Sequence, residues 1–203
     1  MKKTVVAIAL MLCIVLGLSG CDILTSKKNS IGKTGNTMIS VYDALKENLD
    51  SRGLDGYSLY GAKLTVNSEN VGKYIYVYAN KRPDDMNYSD ILLVEVNNRT
   101  GKIEKCGPPD YAVYADMPYE MTSSAMPIDP DSFLIDSDAA VKKAALAHQG
   151  DGFVYNYTEL VMRYKDGKPL YDIGHISLVN NCIYHTCVDV MTGDVLNTYV
   201  EEM

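Results

Sequence analysis

The chain has 203 residues, 19 basic against 26 acidic, with no tryptophan and sixteen tyrosines. That length allows one domain of ordinary size or two small ones sharing an interface. A net charge of −7 repels phosphate backbones and excludes nucleic-acid binding as a working reading.

Lys2-Lys3 and the apolar run over residues 5–18 form a secretory signal, because the run is shorter than the roughly 20 residues a spanning helix needs. It closes on Leu18-Ser19-Gly20-Cys21, small residues before a cysteine, which resembles the lipobox of bacterial lipoproteins. The alternative is an ordinary signal followed by a chance cysteine. The resemblance implies that residues 1–20 are removed, that Cys13 leaves with them, and that Cys21 carries a diacylglyceryl group on its thiol. Each buried acyl methylene contributes about 0.8 kcal/mol, so two or three chains anchor durably where one does not. The expected location is the outer side of the cell membrane, with the lipid bilayer as a partner through Cys21. Without Lys2 and Lys3 the remaining chain holds 17 basic and 26 acidic residues, a formal charge of −9.

Residues 21–36, with Lys27-Lys28-Asn29-Ser30, Gly32 and Gly35, have little to bury and read as a flexible tether. Ser40-Val41-Tyr42-Asp43 has the form of a capping box, and Val41, Tyr42, Leu45 and Leu49 recur at helical spacing, so a helix is predicted to end near Gly53. Strands are predicted at 57–66 and 73–79. In the second, Tyr74, Tyr76 and Tyr78 alternate with Ile75 and Val77. The alternation assigns Ile75 and Val77 to the core and offers the three tyrosines as a ligand-binding platform. The plainer reading makes them good strand formers on a half-solvated face. A strand at 91–96, a turn at Asn97-Asn98-Arg99-Thr100-Gly101 and a resumption at Ile103 complete a first module over residues 37–105.

Residues 106–136 hold five of the seven prolines and read as a connector, with a short strand at 111–115. Asp129, Asp131, Asp136 and Asp138 lack the spacing of a calcium loop and read as loop and helix-start charges. In residues 137–203, Ser137 is the predicted cap of a helix whose Val141, Ala144, Ala145 and His148 share a face. Strands follow at 157–164, 170–179 and 183–190, joined by tight turns at 165–168 and at Asn180-Asn181. The segment from Val188 to Val195 aligns without gaps on that from Val96 to Ile103, sharing valine, threonine, glycine and a final β-branched residue.

The helix opening Ser137-Asp138-Ala139-Ala140, then Asp166-Gly167-Lys168-Pro169-Leu170-Tyr171, then Val188-Asp189 before Thr192-Gly193-Asp194-Val195-Leu196, resemble a PepSY domain over residues 137–199. Residues 37–105 resemble a divergent second copy. The resemblance implies an α+β fold of two repeated modules, each one helix packed on a small antiparallel β-sheet. It also implies a secreted or membrane-attached bacterial protein, often beside peptidases or in their propeptides, with no catalytic residues to carry over.

His175, Cys182, His185 and Cys187 are the one cluster of metal-ligand residue types. Strand alternation puts Cys182 and Cys187 on opposite faces, and His175 opposite His185, so no closed site is expected. His185 and Cys187 remain the candidates for a metal or small-ligand sensor. Cys106 could form a disulfide with Cys182 or with Cys187 in an oxidising compartment. No serine-nucleophile, zinc-protease or phosphate-loop motif is present, so the expectation is a cofactor-free, non-catalytic binding or regulatory protein whose partner is a protein such as a peptidase.

Overall fold

The computed structural model describes residues 37–46 with their side chains, the backbone of 47–51, and residues 56–80, 90–108, 126–150 and 152–203. The expected signal, Cys21, the tether and the strand at 111–115 lie outside these residues. The elements are α1 (Met38–Ser51), β1 (Ser58–Asn67), β2 (Gly72–Ala79), β3 (Ile91–Asn97), β4 (Ile103–Gly107), a 3-10 turn (Pro130–Ser132), α2 (Ser137–Ala147), β5 (Tyr157–Lys165), β6 (Lys168–Ser177), β7 (Cys182–Asp189) and β8 (Val195–Glu202).

All eight strands belong to one antiparallel sheet in the order β4-β3-β2-β1-β5-β6-β7-β8. The junction is β1 against β5, in register from Ala62↔Met162 to Asn67↔Tyr157. This corrects the expectation of two helix-on-sheet modules. A four-stranded meander has two edges with unsatisfied backbone groups, and pairing β1 with β5 removes one edge from each half. The core follows the same rule, since Leu64, Tyr74 and Val94 share one cluster with Leu160, Tyr171 and Val188.

The helices start where local chemistry allows it, though not where the motifs suggested. Thr37 and Ser40 form the capping box of α1: the Thr37 N–H donates to Ser40 Oγ at 3.0 Å and the Ser40 N–H to Thr37 Oγ1 at 3.3 Å. Asp136 caps α2, accepting the Ser137 N–H at 2.6 Å. Ser137 serves the other helix, because its Oγ accepts the Met38 N–H at 3.0 Å while Asp136 Oδ1 accepts the Ile39 N–H at 3.1 Å. Both helix N-termini therefore meet at one pair of residues.

The two aligned segments adopt one turn structure. Asn97 Oδ1 accepts the N–H groups of Arg99 and Thr100, and Asp189 Oδ1 those of Met191 and Thr192. Gly101 and Gly193 then take φ of 67° and 76°, which glycine adopts without steric cost. The register slips between Glu95 and Val96 in one case and between Cys187 and Val188 in the other. The β6–β7 turn is longer than predicted: Ser177 pairs with Cys182, so four residues replace the expected two. A shift of two residues preserves the face of every side chain, which is why the predicted facing of His175 and His185 survives the error.

Three variants test these turns and caps. A Cβ at Gly193 would lie 3.1 Å from Ile135 Cγ2, so Gly193→Val should destabilise by more than about 1 kcal/mol in denaturant unfolding. Asp136→Ala removes acceptors from two helix starts, each worth about 1 kcal/mol, and should cost about 2 kcal/mol. Burial raises the Asp136 pKa, against the hydrogen bonds that lower it. The folded chain thus holds that proton more tightly, and this group's contribution to stability declines as pH rises from the ordinary carboxylate value through the raised one. Asp136→Asn should flatten that segment of the stability profile.

Candidate functional site

Alternation along each strand divides the sheet into a face that carries the helices and a face opposite. Tyr74, Tyr76 and Tyr78 lie on the helix-bearing face and are 0, 0 and 3% exposed. This inverts the expected platform: the tyrosines are core. Tyr76 reaches α1 directly, its hydroxyl donating to the Met38 carbonyl at 2.7 Å. Burial drives the pKa of all three phenols upward. Ile75 and Val77 fall on the opposite face, where Val77, Ile91 and Leu93 form a second, smaller cluster with Ile75 and Val161.

The opposite face carries three ion pairs and a histidine–glutamate contact. Lys73 Nζ meets Glu95 Oε2 at 2.7 Å, Lys63 Nζ meets Glu159 Oε1 at 3.0 Å, and Arg163 Nη2 meets Asp172 Oδ2 at 2.6 Å. His185 Nε2 meets Glu201 Oε2 at 3.0 Å. None of the four joins residues directly across the ladder. In each case the partner sits diagonally, two positions along, where long side chains still reach.

Between β5 and β8 this face opens into a groove of about 180 Å³, lined by Glu159, Asp172, Gly174, Ile183, His185 and Tyr199. Its floor depends on Gly174, which stands directly across from His185. A Cβ there would lie 3.2 Å from Ile183 Cγ2 and 3.9 Å from the His185 ring. The imidazole lies between that glycine and Tyr199, stacking on the phenol ring at 4.4 Å and 11°. Cys187 is also on this face, with Sγ 3.8 Å from Asp172 Oδ1. Burial first, then the Asp172 charge, raises its thiol pKa, so the sulfur stays protonated and is a poor nucleophile at neutral pH.

The residue types considered for a metal are thus dispersed. His185 and Cys187 share a face but hold different carboxylates. His175 and Cys182 are on the helix-bearing face, and among the described residues no group of three or more His, Cys, Asp or Glu could hold an ion. Cys106, Cys182 and Cys187 are all free. Cys106 on β4 stands six strands from β7, about 29 Å at the usual strand spacing, far beyond the roughly 7 Å a disulfide allows, so neither expected bridge can form within one chain.

Sequence reasoning missed an aromatic box on the helix-bearing side. Phe153 sits among His148, Tyr155, His175 and Tyr184, with ring centroids 5.0–5.9 Å away. His175 is fully buried, and neither of its ring nitrogens has a hydrogen-bond partner. Burial, then the nearby His148, lowers its pKa to about 4, so it is neutral at physiological pH. The outer side of Phe153 joins Ala145, Leu146 and Val154 around an open hollow of about 830 Å³. The signal available in the sequence was Phe153, one of only two phenylalanines, beside two glycines.

No protein-family model and no curated protein matches the chain. The PepSY resemblance of residues 137–199 therefore rests on its motif. Among solved structures, the chain is similar to a crystal structure described as that of "a putative lipoprotein" from Clostridium difficile 630. The TM-score is 0.54 at 13% identity, over 86% of this chain and 100% of that one. At that identity the likeness is one of fold. No helix among the described residues is long and apolar enough to cross a membrane.

The burial of the tyrosines sets a clear outcome for their replacement. Large-to-small core exchanges cost about 3–5 kcal/mol each, against a total stability of about 5–15 kcal/mol. Changing Tyr74, Tyr76 and Tyr78 together to serine should abolish the cooperative thermal transition. A retained transition would return them to the surface.

Proposed function

We propose that this protein is a lipid-anchored extracytoplasmic binding protein, without catalysis of its own, that engages a protein of the cell envelope through the sheet face opposite its helices. The supporting observation is the groove above Gly174. It lies on a face that neither helix covers, and carboxylates and two stacked rings surround it. An ionised carboxylate can accept about four hydrogen bonds, and Glu159 and Asp172 each hold one cationic partner while Glu201 meets the His185 ring, so acceptor capacity remains for a basic side chain. His185 and Tyr199 add flat surface for an aromatic or guanidinium group. The partner is accordingly a basic segment of an envelope protein, plausible for a peptidase, and the acidic chain speeds its encounter in a salt-dependent manner.

Support for the anchor comes from the lipobox at Leu18–Cys21 and from the described nature of the structural neighbour. The metal-sensor reading gains nothing from the geometry, since the Cys187 thiol is held protonated beside Asp172.

Capture from native membranes with the full acylated chain tests the reading. Glu159→Lys combined with His185→Ala should lose at least tenfold in partner recovery with an unchanged melting transition, and equal recovery would move the site elsewhere. In the same cells, Cys21→Ser should lose fatty-acid label and membrane retention. Persistent label in that variant would remove the anchor.

A further inference from the structure

The eighth strand ends the sheet with a longer and more regular edge than the opposite one. Every residue of β8 is exposed, including Val195, Leu196, Tyr199 and Val200, although the strand is fully paired to β7 on its inner side. It contains no proline and no lysine, and its register is unbroken from Asn197 to Glu202. The opposite edge, β4, is five residues long and carries Glu104 and Lys105, whereas β8 is eight long with its charges confined to Glu201 and Glu202; each edge has one register shift, that of β8 lying at its start. Short length, charge and irregularity are how edges avoid pairing with another chain, and the uncharged, regular stretch from Asn197 to Val200 has none of them.

Its outward hydrogen-bonding groups can be assigned. The Met203 N–H donates to the Asn181 carbonyl at 3.0 Å, so residues of that parity, 197, 199 and 201, turn their backbone toward β7. Thr198, Val200 and Glu202 then present one N–H and one C=O each to solvent.

We propose that β8 pairs antiparallel with β8 of a second copy of this chain, joining two eight-stranded sheets across a two-fold axis centred on Tyr199. A two-fold perpendicular to the sheet keeps all helices on one side and requires directly opposed residues to share a face, which restricts the register to even steps. Centring on Thr198 would oppose Asp194 to Glu202, a like-charge pair. Centring on Tyr199 sets Thr198 against Val200 of the second copy, Asn197 against Glu201 and Leu196 against Glu202. No like charges face one another, the Asn197 amide can donate to the Glu201 carboxylate, and Thr198 and Val200 exchange both backbone hydrogen bonds. The two Tyr199 residues then form a non-hydrogen-bonded pair, with Cα atoms about 4.5 Å apart. The helix-free faces become continuous, and the groove beside His185 and Tyr199 flanks the axis in both copies. The pairing does not depend on the partner proposed above.

The test uses the full acylated chain in detergent micelles. Wild type should sediment at twice the monomer mass, corrected for detergent. Tyr199→Cys should form an intermolecular disulfide under mild oxidation, because its Cα separation falls within the bonding range. Asn197→Cys should not, since the two copies of that position lie about 14 Å apart in this register. Val200→Pro removes an outward N–H that β7 does not use and should sediment as a folded monomer, while Val200→Ala stays dimeric. A wild-type monomer at all concentrations, equal crosslinking of the two cysteine variants, or a folded Val200→Pro dimer would each overturn the proposal. So would recovery of a foreign polypeptide on β8 from a chain that never self-associates. If Val200→Pro fails to fold, the contrast between the two cysteine variants decides alone.

Discussion

Two helix N-termini meet at Asp136 and Ser137, and the placement of everything else follows from that meeting. Each helix start leaves backbone N–H groups unpaired and carries the positive end of a dipole, so two buried starts side by side repel one another and lack acceptors. One carboxylate and one hydroxyl answer both needs, taking N–H groups from Met38, Ile39 and Ser137. Burying that carboxylate has a cost, visible as the raised pKa of Asp136, which the hydrogen bonds offset in part. With the helices tied together, the strands that follow each of them lie in one plane. The β1–β5 pairing then closes a single sheet over a shared core.

That sheet has two chemically distinct faces because burial is one-sided. Tyrosines fill the helix-bearing face: Tyr74, Tyr76 and Tyr171 are among the largest fully buried side chains. A tyrosine core buries much apolar area at the cost of burying hydroxyls: Tyr76 places its own on the Met38 carbonyl, next to the shared caps, while the hydroxyls of Tyr78 and Tyr171 are buried without a hydrogen-bond partner. Across the sheet the Lys63–Glu159 and Lys73–Glu95 pairs, each with one well-exposed member, contribute little to stability, since exposed pairs are worth about 0–1 kcal/mol. Their effect is to keep part of this face charged, with the Gly174 groove between β5 and β8 and a second hollow beside Thr65, Lys73 and Tyr157.

The dispersal of histidines and cysteines has the same geometric origin. Alternation separates neighbours on one strand, and an eight-stranded sheet sets Cys106 far from β7. Residue types that suggest metal or disulfide chemistry in a linear reading are thus kept apart by the architecture, and each finds a local partner or a buried, neutral state. Cys187 rests beside Asp172, His185 between Gly174 and Tyr199, and His175 inside a box of rings.

Strand positions, the two matching turns and the facing of His175 against His185 could be read from the sequence, because they depend on local φ/ψ preferences and on a side-chain period of two. The asparagine or aspartate that opens each turn and the glycine that closes it act within six residues. What the sequence left open is which face of β2 turns inward. Tyr-Ile-Tyr-Val-Tyr is equally amphipathic either way, and only the docking of α1 on Tyr76 chooses. The final strand was equally hidden, since every residue of β8 is exposed and no burial period marks it. The merger of two expected modules into one sheet was decided by contacts 97 and 99 residues apart, between the start of α1 and the cap of α2. Local pattern carries no information on such pairs, so tertiary structure alone could set them.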